Sequence, residues 1–258
     1  MKKINTKKRN QKTKSNPKPL EKVPLQKKET QIKSTSSKNN LNYSILCSIS
    51  LIIISFTLSF LFFNQLPPLV ATHWNFEGTA DGFTPKEIGI FIIPLLTTSI
   101  LLILYYIPNI DPLKTNIESF KKEYHAMILI FTIFMAYLHI VTLLLNLGFK
   151  LDIRQLIAIG FALIFYSIGI LMKKTKRNFF IGVKTPWTLS SDTVWEKTHN
   201  QASKLFKASA ILALIGLITP NLSLFFIIVP IIISSIFIII YSYIEYKKEI
   251  NQKKKKEL

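Results

Sequence analysis

After residue 42, apolar runs of bilayer-spanning length recur six times. They lie at approximately Tyr43–Phe63, Ile88–Ile107, Ala126–Gly148, Ile153–Met172, Leu205–Thr219 and Ser223–Tyr243. A hydrocarbon core of roughly 30 Å asks for about 20 apolar residues per helix, and no soluble core needs unbroken runs of that length. The fifth run is short by itself and reaches spanning length if its helix begins upstream, around Asp192. Pro94 and Pro230 fall inside the second and sixth runs, where neighbouring helices satisfy the freed carbonyls. The chain is 49% hydrophobic yet carries a net charge of +19, which is consistent only because the charge is confined to tails and loops. The expected fold class is an all-α polytopic membrane protein with six transmembrane helices.

Loop charge orients these spans. Lys2, Lys3, Lys7, Lys8 and Arg9 open a basic tail, and Lys114, Lys121 and Lys122 fill the second loop. The fourth loop has Lys173, Lys174, Lys176, Arg177, Lys184, Lys197 and Lys204, and the chain ends in Lys253–Lys256. The first, third and fifth loops are poor in Lys and Arg. This alternation predicts both termini in the cytoplasm, with Asn64–Glu87 outside and the Arg177–Lys204 segment inside. Residues 1–42 hold almost no large apolar side chains and are expected to be disordered. Their Lys/Arg excess suits anionic lipid rather than direct nucleic-acid binding. The first run is longer than the core of a signal peptide, roughly 7–15 residues. The lone Cys47 within it cannot form an intrachain disulfide.

Polar residues inside the spans fall on stripes. Thr132, His139 and Asn146 recur every seven residues in the third span, and Ser44, Ser48, Ser55 and Ser59 line the first. Ser209, Ala213 and Gly216 line one side of the fifth. Small and hydroxylated residues at such spacing predict close helix packing and interhelical hydrogen bonds. An intramembrane histidine is also a candidate for a proton or substrate path. His139 therefore supports an alternative class, a small membrane transporter or membrane-embedded enzyme.

The outer loop reads LPPLVATHWNFEGTADGFTPK. Pro67 and Pro68 stop the preceding helix, and Gly78 and Asp81–Gly82 read as tight turns. His73, Glu77 and Asp81 are metal-ligand types, but Gly78 disfavours the helix that would align them. An interfacial loop with Trp74 and Phe83 at the headgroups is the expectation, with no metal or cofactor.

Inside, Phe179–Trp187 is aromatic and broken by Gly182 and Pro186. Ser190 or Ser191 then caps a helix with Asp192 in its first turn. Trp195, His199, Ala202 and Phe206 recur at i, i+4, i+7 and i+11, one face of an amphipathic helix expected at the membrane surface. Glu196 is a conceivable acid/base partner for His199. No nucleophile–base–orienter constellation accompanies the pair, so no catalytic residues are assigned and a non-enzyme is expected.

RNFFIGVKTPWTLSSDTVWEKTH resembles the C-terminal signature of the SdpI-like membrane immunity proteins, which protect cells against a secreted killing peptide. The outer loop resembles the small N-terminal membrane domain that often precedes that signature, and together the two cover about Leu46 to Leu217. The matching positions inside are Arg177, Asn178, Gly182, Thr185, Pro186, Trp187, Trp195 and His199. Outside they are Pro68, His73, Trp74, Asn75, Gly78, Asp81 and Gly82. Lys184 stands where the family more often carries arginine, which gives up bidentate geometry, and Ala202 falls where glycine is frequent. The resemblance implies a non-enzymatic protein, with a peptide toxin as partner outside, membrane lipid around it and a cytoplasmic transcriptional repressor inside. It divides the chain into a Lys-rich tail (1–42), an N-terminal membrane domain (43–125, outer loop 64–87), an SdpI-like domain (126–246, inner loop 173–204) and a basic C-terminal tail (247–258).

Overall fold

The computed structural model describes the backbone of residues 25–256 and the side chains of residues 43–255. The expected disordered tail lies outside the described residues up to residue 24, and from Leu25 the backbone is helical. Residues 1–37 form one unit, and residues 38–258 form a second, compact one that contains the sites described below.

The elements in order are α1 (Leu25–Phe62), β1 (Leu69–Trp74), β2 (Ala80–Pro85), α2 (Lys86–Gly89), α3 (Ile92–Ile110) and α4 (Lys114–Glu118). They continue with α5 (Lys121–Asn146), α6 (Ile153–Met172), α7 (Pro186–Ser190), α8 (Asp192–Ile215) and α9 (Ser223–Lys256). Among the described residues, five stretches are long and apolar enough to cross a membrane: Tyr43–Gln65, Lys86–Ile110, Lys121–Asn146, Ile153–Met172 and Pro220–Lys255. The expected fifth span, 205–219, is the apolar end of α8. That helix does begin at Asp192, but its first two-thirds carry Asp192, Glu196, Lys197, Lys204 and Lys207 and are too polar to qualify by composition.

Three expectations are corrected. The fold is not all-α, because the outer loop forms an antiparallel hairpin of β1 and β2. Its turn is Asn75–Thr79, closed by Asn75 N–H on the Thr79 carbonyl, with Gly78 at φ +79°. Asp81 and Gly82 lie within β2 rather than at a turn of their own. Nor does α8 expose its Trp195 face to a membrane surface. Trp195, His199 and Ala202 are buried by protein as α8 runs antiparallel to both α6 and α9.

Packing explains the sequence stripes. Of the most apolar stretches, 44% of α6 and 39% of α5 are buried against 22% of α1 and α9, so α5 and α6 are central. Ser48, Ser55, Ser59, Thr132, His139 and Ser209 are all buried. Ser209 pairs with Ser234 of α9 at 3.2 Å, and Ser203 donates to the Gly169 carbonyl of α6 at 2.6 Å. Proline's missing N–H is compensated in α3. Pro108 leaves the Leu104 carbonyl without its helical donor, and the Tyr124 hydroxyl of α5 donates to that carbonyl at 2.6 Å.

Candidate functional site

The candidate residues gather at the two ends of the bundle. At one end, α6 runs out at Met172, and residues 173–185 form an irregular segment held almost entirely by buried polar side chains. Asn178, fully buried, organises it. Its amide donates to the carbonyls of Lys176 and Ile181, and its Oδ1 accepts from the N–H groups of Phe180 and Ile181. A short polar side chain with two donors and an acceptor thus substitutes for regular backbone pairing.

Gly182 comes next, at φ +114°. The Val183 N–H donates to Nε2 of His199 at 2.9 Å, and Nδ1 of the same ring faces the Trp195 carbonyl at 2.8 Å. An Nε2 that accepts carries no proton, so Nδ1 is the donor and the imidazole is neutral with both nitrogens occupied. Burial pushes the His199 pKa down to about 4, opposed only in part by the bond to the Trp195 carbonyl. The ring stacks on Trp195 with centroids 4.0 Å apart, and the Trp195 indole donates to the Thr175 carbonyl. Glu196 is not a partner of His199, whose bonds are to backbone. Through these two bonds the histidine latches α8 to the loop.

The remaining inner residues fix the exit from the loop. Thr185 caps α7 in a reciprocal box with Thr188, with Pro186 in the first turn, and its hydroxyl reaches Ser242 of α9 at 3.1 Å. Trp187 packs on Tyr243, and Lys184 donates to the Phe180 carbonyl. Ser191 caps α8 and donates to Glu249 at 2.5 Å. Arg177 pairs with Asp192 at 2.8 Å and donates to the Leu189 carbonyl.

Two contributors escape a reading of the sequence. Asp111, 3% exposed, accepts from the N–H groups of Leu113 and Phe179, and Asn116 donates to the Arg177 carbonyl. They tie the α3–α4 corner to the inner segment. The Asp111-Pro112 pair is a visible turn signal, but its bond across to residue 179 is not.

At the other end, Asn146 of α5 acts as an added strand residue for the hairpin. Its Oδ1 accepts from Ala71 N–H at 2.7 Å and its amide donates to the Ala71 carbonyl at 3.0 Å. His73 pairs with Asp81 across the strands at 2.5 Å, and Gly82 leaves room for the His73 side chain. Asn75 caps the turn by accepting from the N–H groups of Glu77 and Thr79. Trp74 is half-buried, whereas Phe76 and Phe83 stand exposed at the hairpin. Among the described residues no group of three or more His, Cys, Asp or Glu gathers to hold a metal. Between the ends, Nε2 of His139 lies 3.1 Å from both the Ser55 carbonyl and the Ser59 hydroxyl, a packing contact that joins α5 to α1.

These two assemblies coincide with two family matches. Residues 174–242 match the model of the SdpI/YfhL protein family, and residues 50–98 match a domain of unknown function (DUF1648). The chain is 28% identical over 202 residues to Immunity protein SdpI of Bacillus subtilis (strain 168), covering 78% of this chain and 95% of that protein. No solved structure matches the chain. The resemblance read from the inner and outer motifs is borne out, and the chain is SdpI-like.

Proposed function

We propose that this SdpI-like, multi-pass plasma-membrane protein confers immunity to a secreted membrane-active peptide. The observation that carries the reading is its similarity to an immunity protein across 95% of that protein's length. The outer hairpin is the toxin-facing element, through His73, Trp74, Asn75, Gly78, Asp81 and Gly82. Its exposed Phe76 and Phe83, set on a rigid two-stranded frame, suit contact with an amphipathic peptide at the membrane surface. The inner segment, from Arg177 and Asn178 through Gly182, Lys184, Thr185, Pro186 and Trp187 to Trp195 and His199, is the surface for a cytoplasmic repressor. Asn178, Thr185, Trp195 and His199 are buried and shape that surface, and Lys184 and Pro186 are exposed to meet the partner.

In this reading α8, with the apolar run 205–219, makes the fifth of six crossings in chain order, and both termini are cytoplasmic. Its Ser203 bond to α6, its Ser209 bond to α9 and the donation from Gln155 to the Leu217 carbonyl support a helix running the length of α6. Gene deletion followed by killing curves tests the function: cells lose protection against a cognate peptide and regain it on complementation. Unchanged killing across a panel of membrane-active peptides would overturn it.

A further inference from the structure

Beneath the inner segment lies a cleft of about 530 Å³ whose chemistry points outside the protein. Four cationic side chains line it: Lys173, Lys174, Lys176 and Arg177. Two acidic ones oppose them, and one of these, Asp192, is engaged with Arg177 at 2.8 Å. Among the described residues the three lysines form no ion pair, and all are exposed. Glu196 alone remains to offset them. The lining therefore keeps a net positive charge, with four cationic side chains against two acidic ones.

Position narrows the ligand. Met172, the last residue of the spanning helix α6, forms part of the cleft wall, and Trp195 forms another part. The cleft thus opens where the hydrocarbon layer gives way to headgroups. Phe179 and Phe180 stand exposed on the same segment, an apolar ledge next to a cationic hollow. Ammonium groups at that depth attract anionic headgroups with about 1 kcal/mol each, and basic pockets between spanning helices suit phosphate-bearing lipids.

We propose that this cleft binds the phosphodiester of an anionic membrane lipid, with Lys173, Lys174 and Lys176 as its counter-charges. The ligand chemistry is phosphate, and the sources to be separated are a lipid headgroup and free inorganic phosphate. The proposal is independent of the immunity reading, because binding is measured with no toxin or repressor present.

The test uses the purified full-length protein in detergent micelles doped with phosphatidylglycerol or phosphatidylcholine. Lipid retention is read by native mass spectrometry and stabilisation by thermal unfolding. Phosphatidylglycerol should be retained and raise the unfolding midpoint, while phosphatidylcholine and inorganic phosphate should do neither at equal concentration. The triple variant Lys173→Gln, Lys174→Gln, Lys176→Gln should lose roughly tenfold or more in lipid affinity. Glu196→Gln should gain affinity, a change of opposite sign that a folding defect does not produce. Equal retention of the two lipids would overturn the proposal, as would indifference to both variants. Stabilisation by inorganic phosphate matching that by phosphatidylglycerol would overturn the lipid assignment.

Discussion

The imidazole of His199 occupies the space that a side chain on residue 182 would need. A Cβ added to Gly182 would overlap Nε2 of that ring and crowd the Trp195 indole at 3.4 Å. Residue 182 also sits at φ +114°, a backbone conformation that L side chains rarely adopt. Gly182→Ala should therefore destabilise the protein by on the order of 3 kcal/mol, strain and displaced ring together. Gly148 supplies the control: it lies at φ +90°, and a Cβ added there would meet no atom within 4 Å. Gly148→Ala should cost only the backbone term, about 1 kcal/mol. Thermal unfolding of the two variants in the same micelles checks this, and equal losses would show that the His199 contact contributes nothing.

Because His199 is neutral in the fold and its Nε2 accepts from Val183, protonation must break that bond. Its pKa falls from 6.5 to about 4 on folding, so the unfolded chain binds the extra proton between those values and stability rises with pH there. The stabilisation is complete above about pH 6.5 and is lost as pH falls toward 4, a loss on the order of 3 kcal/mol from this histidine. His199→Gln should flatten that dependence while lowering stability at neutral pH. Unfolding midpoints from pH 7.5 to 4.5 test this, and parallel curves for the two proteins would refute it.

The bundle is legible because spanning length and loop charge are properties of single segments. The Ser191 cap, the helix start at Asp192 and the shared face of Trp195, His199 and Ala202 can all be read from spacing. What faces that helix cannot, because the Val183–His199 and Asp111–Phe179 bonds join residues that no local pattern connects. The hairpin is hidden for a related reason. Alternation in LVATHW is weak, and its pairing depends on Asn146, which lies 75 residues away from Ala71. His139 stands out in the sequence as an ionisable group in a membrane span, and its packing role emerges only with Ser55 and Ser59 beside it.

Tyr124 and Pro108 form a compensating pair. The tyrosine hydroxyl supplies the donor that proline removes from Leu104, in a core where Tyr124 is fully buried. Tyr124→Phe should cost about 1–3 kcal/mol, the penalty for an unsatisfied buried carbonyl. In a Pro108→Ala background the restored N–H can serve Leu104, so the same substitution should cost markedly less. A double-mutant cycle read by thermal unfolding measures the coupling, and additive effects would contradict the pairing.

Asn146 gives the sharpest separation of the hairpin from the rest of the molecule. Its side chain both donates to and accepts from Ala71, holding β1 to the end of α5 through bonds that no other described residue duplicates. Leucine at 146 fills similar space and leaves both Ala71 groups unpaired, a local cost of about 1–3 kcal/mol for each. Exchange of backbone amides over 69–85 should then accelerate by roughly tenfold or more, since local opening follows that free energy. Amides of the inner segment, held by Asn178 and His199 at the opposite end, should keep their protection. If the hairpin is the toxin-facing element, cells carrying Asn146→Leu should lose immunity while the protein stays folded and at normal abundance in the membrane. Retained immunity with a demonstrably loosened hairpin would move toxin recognition elsewhere in the bundle.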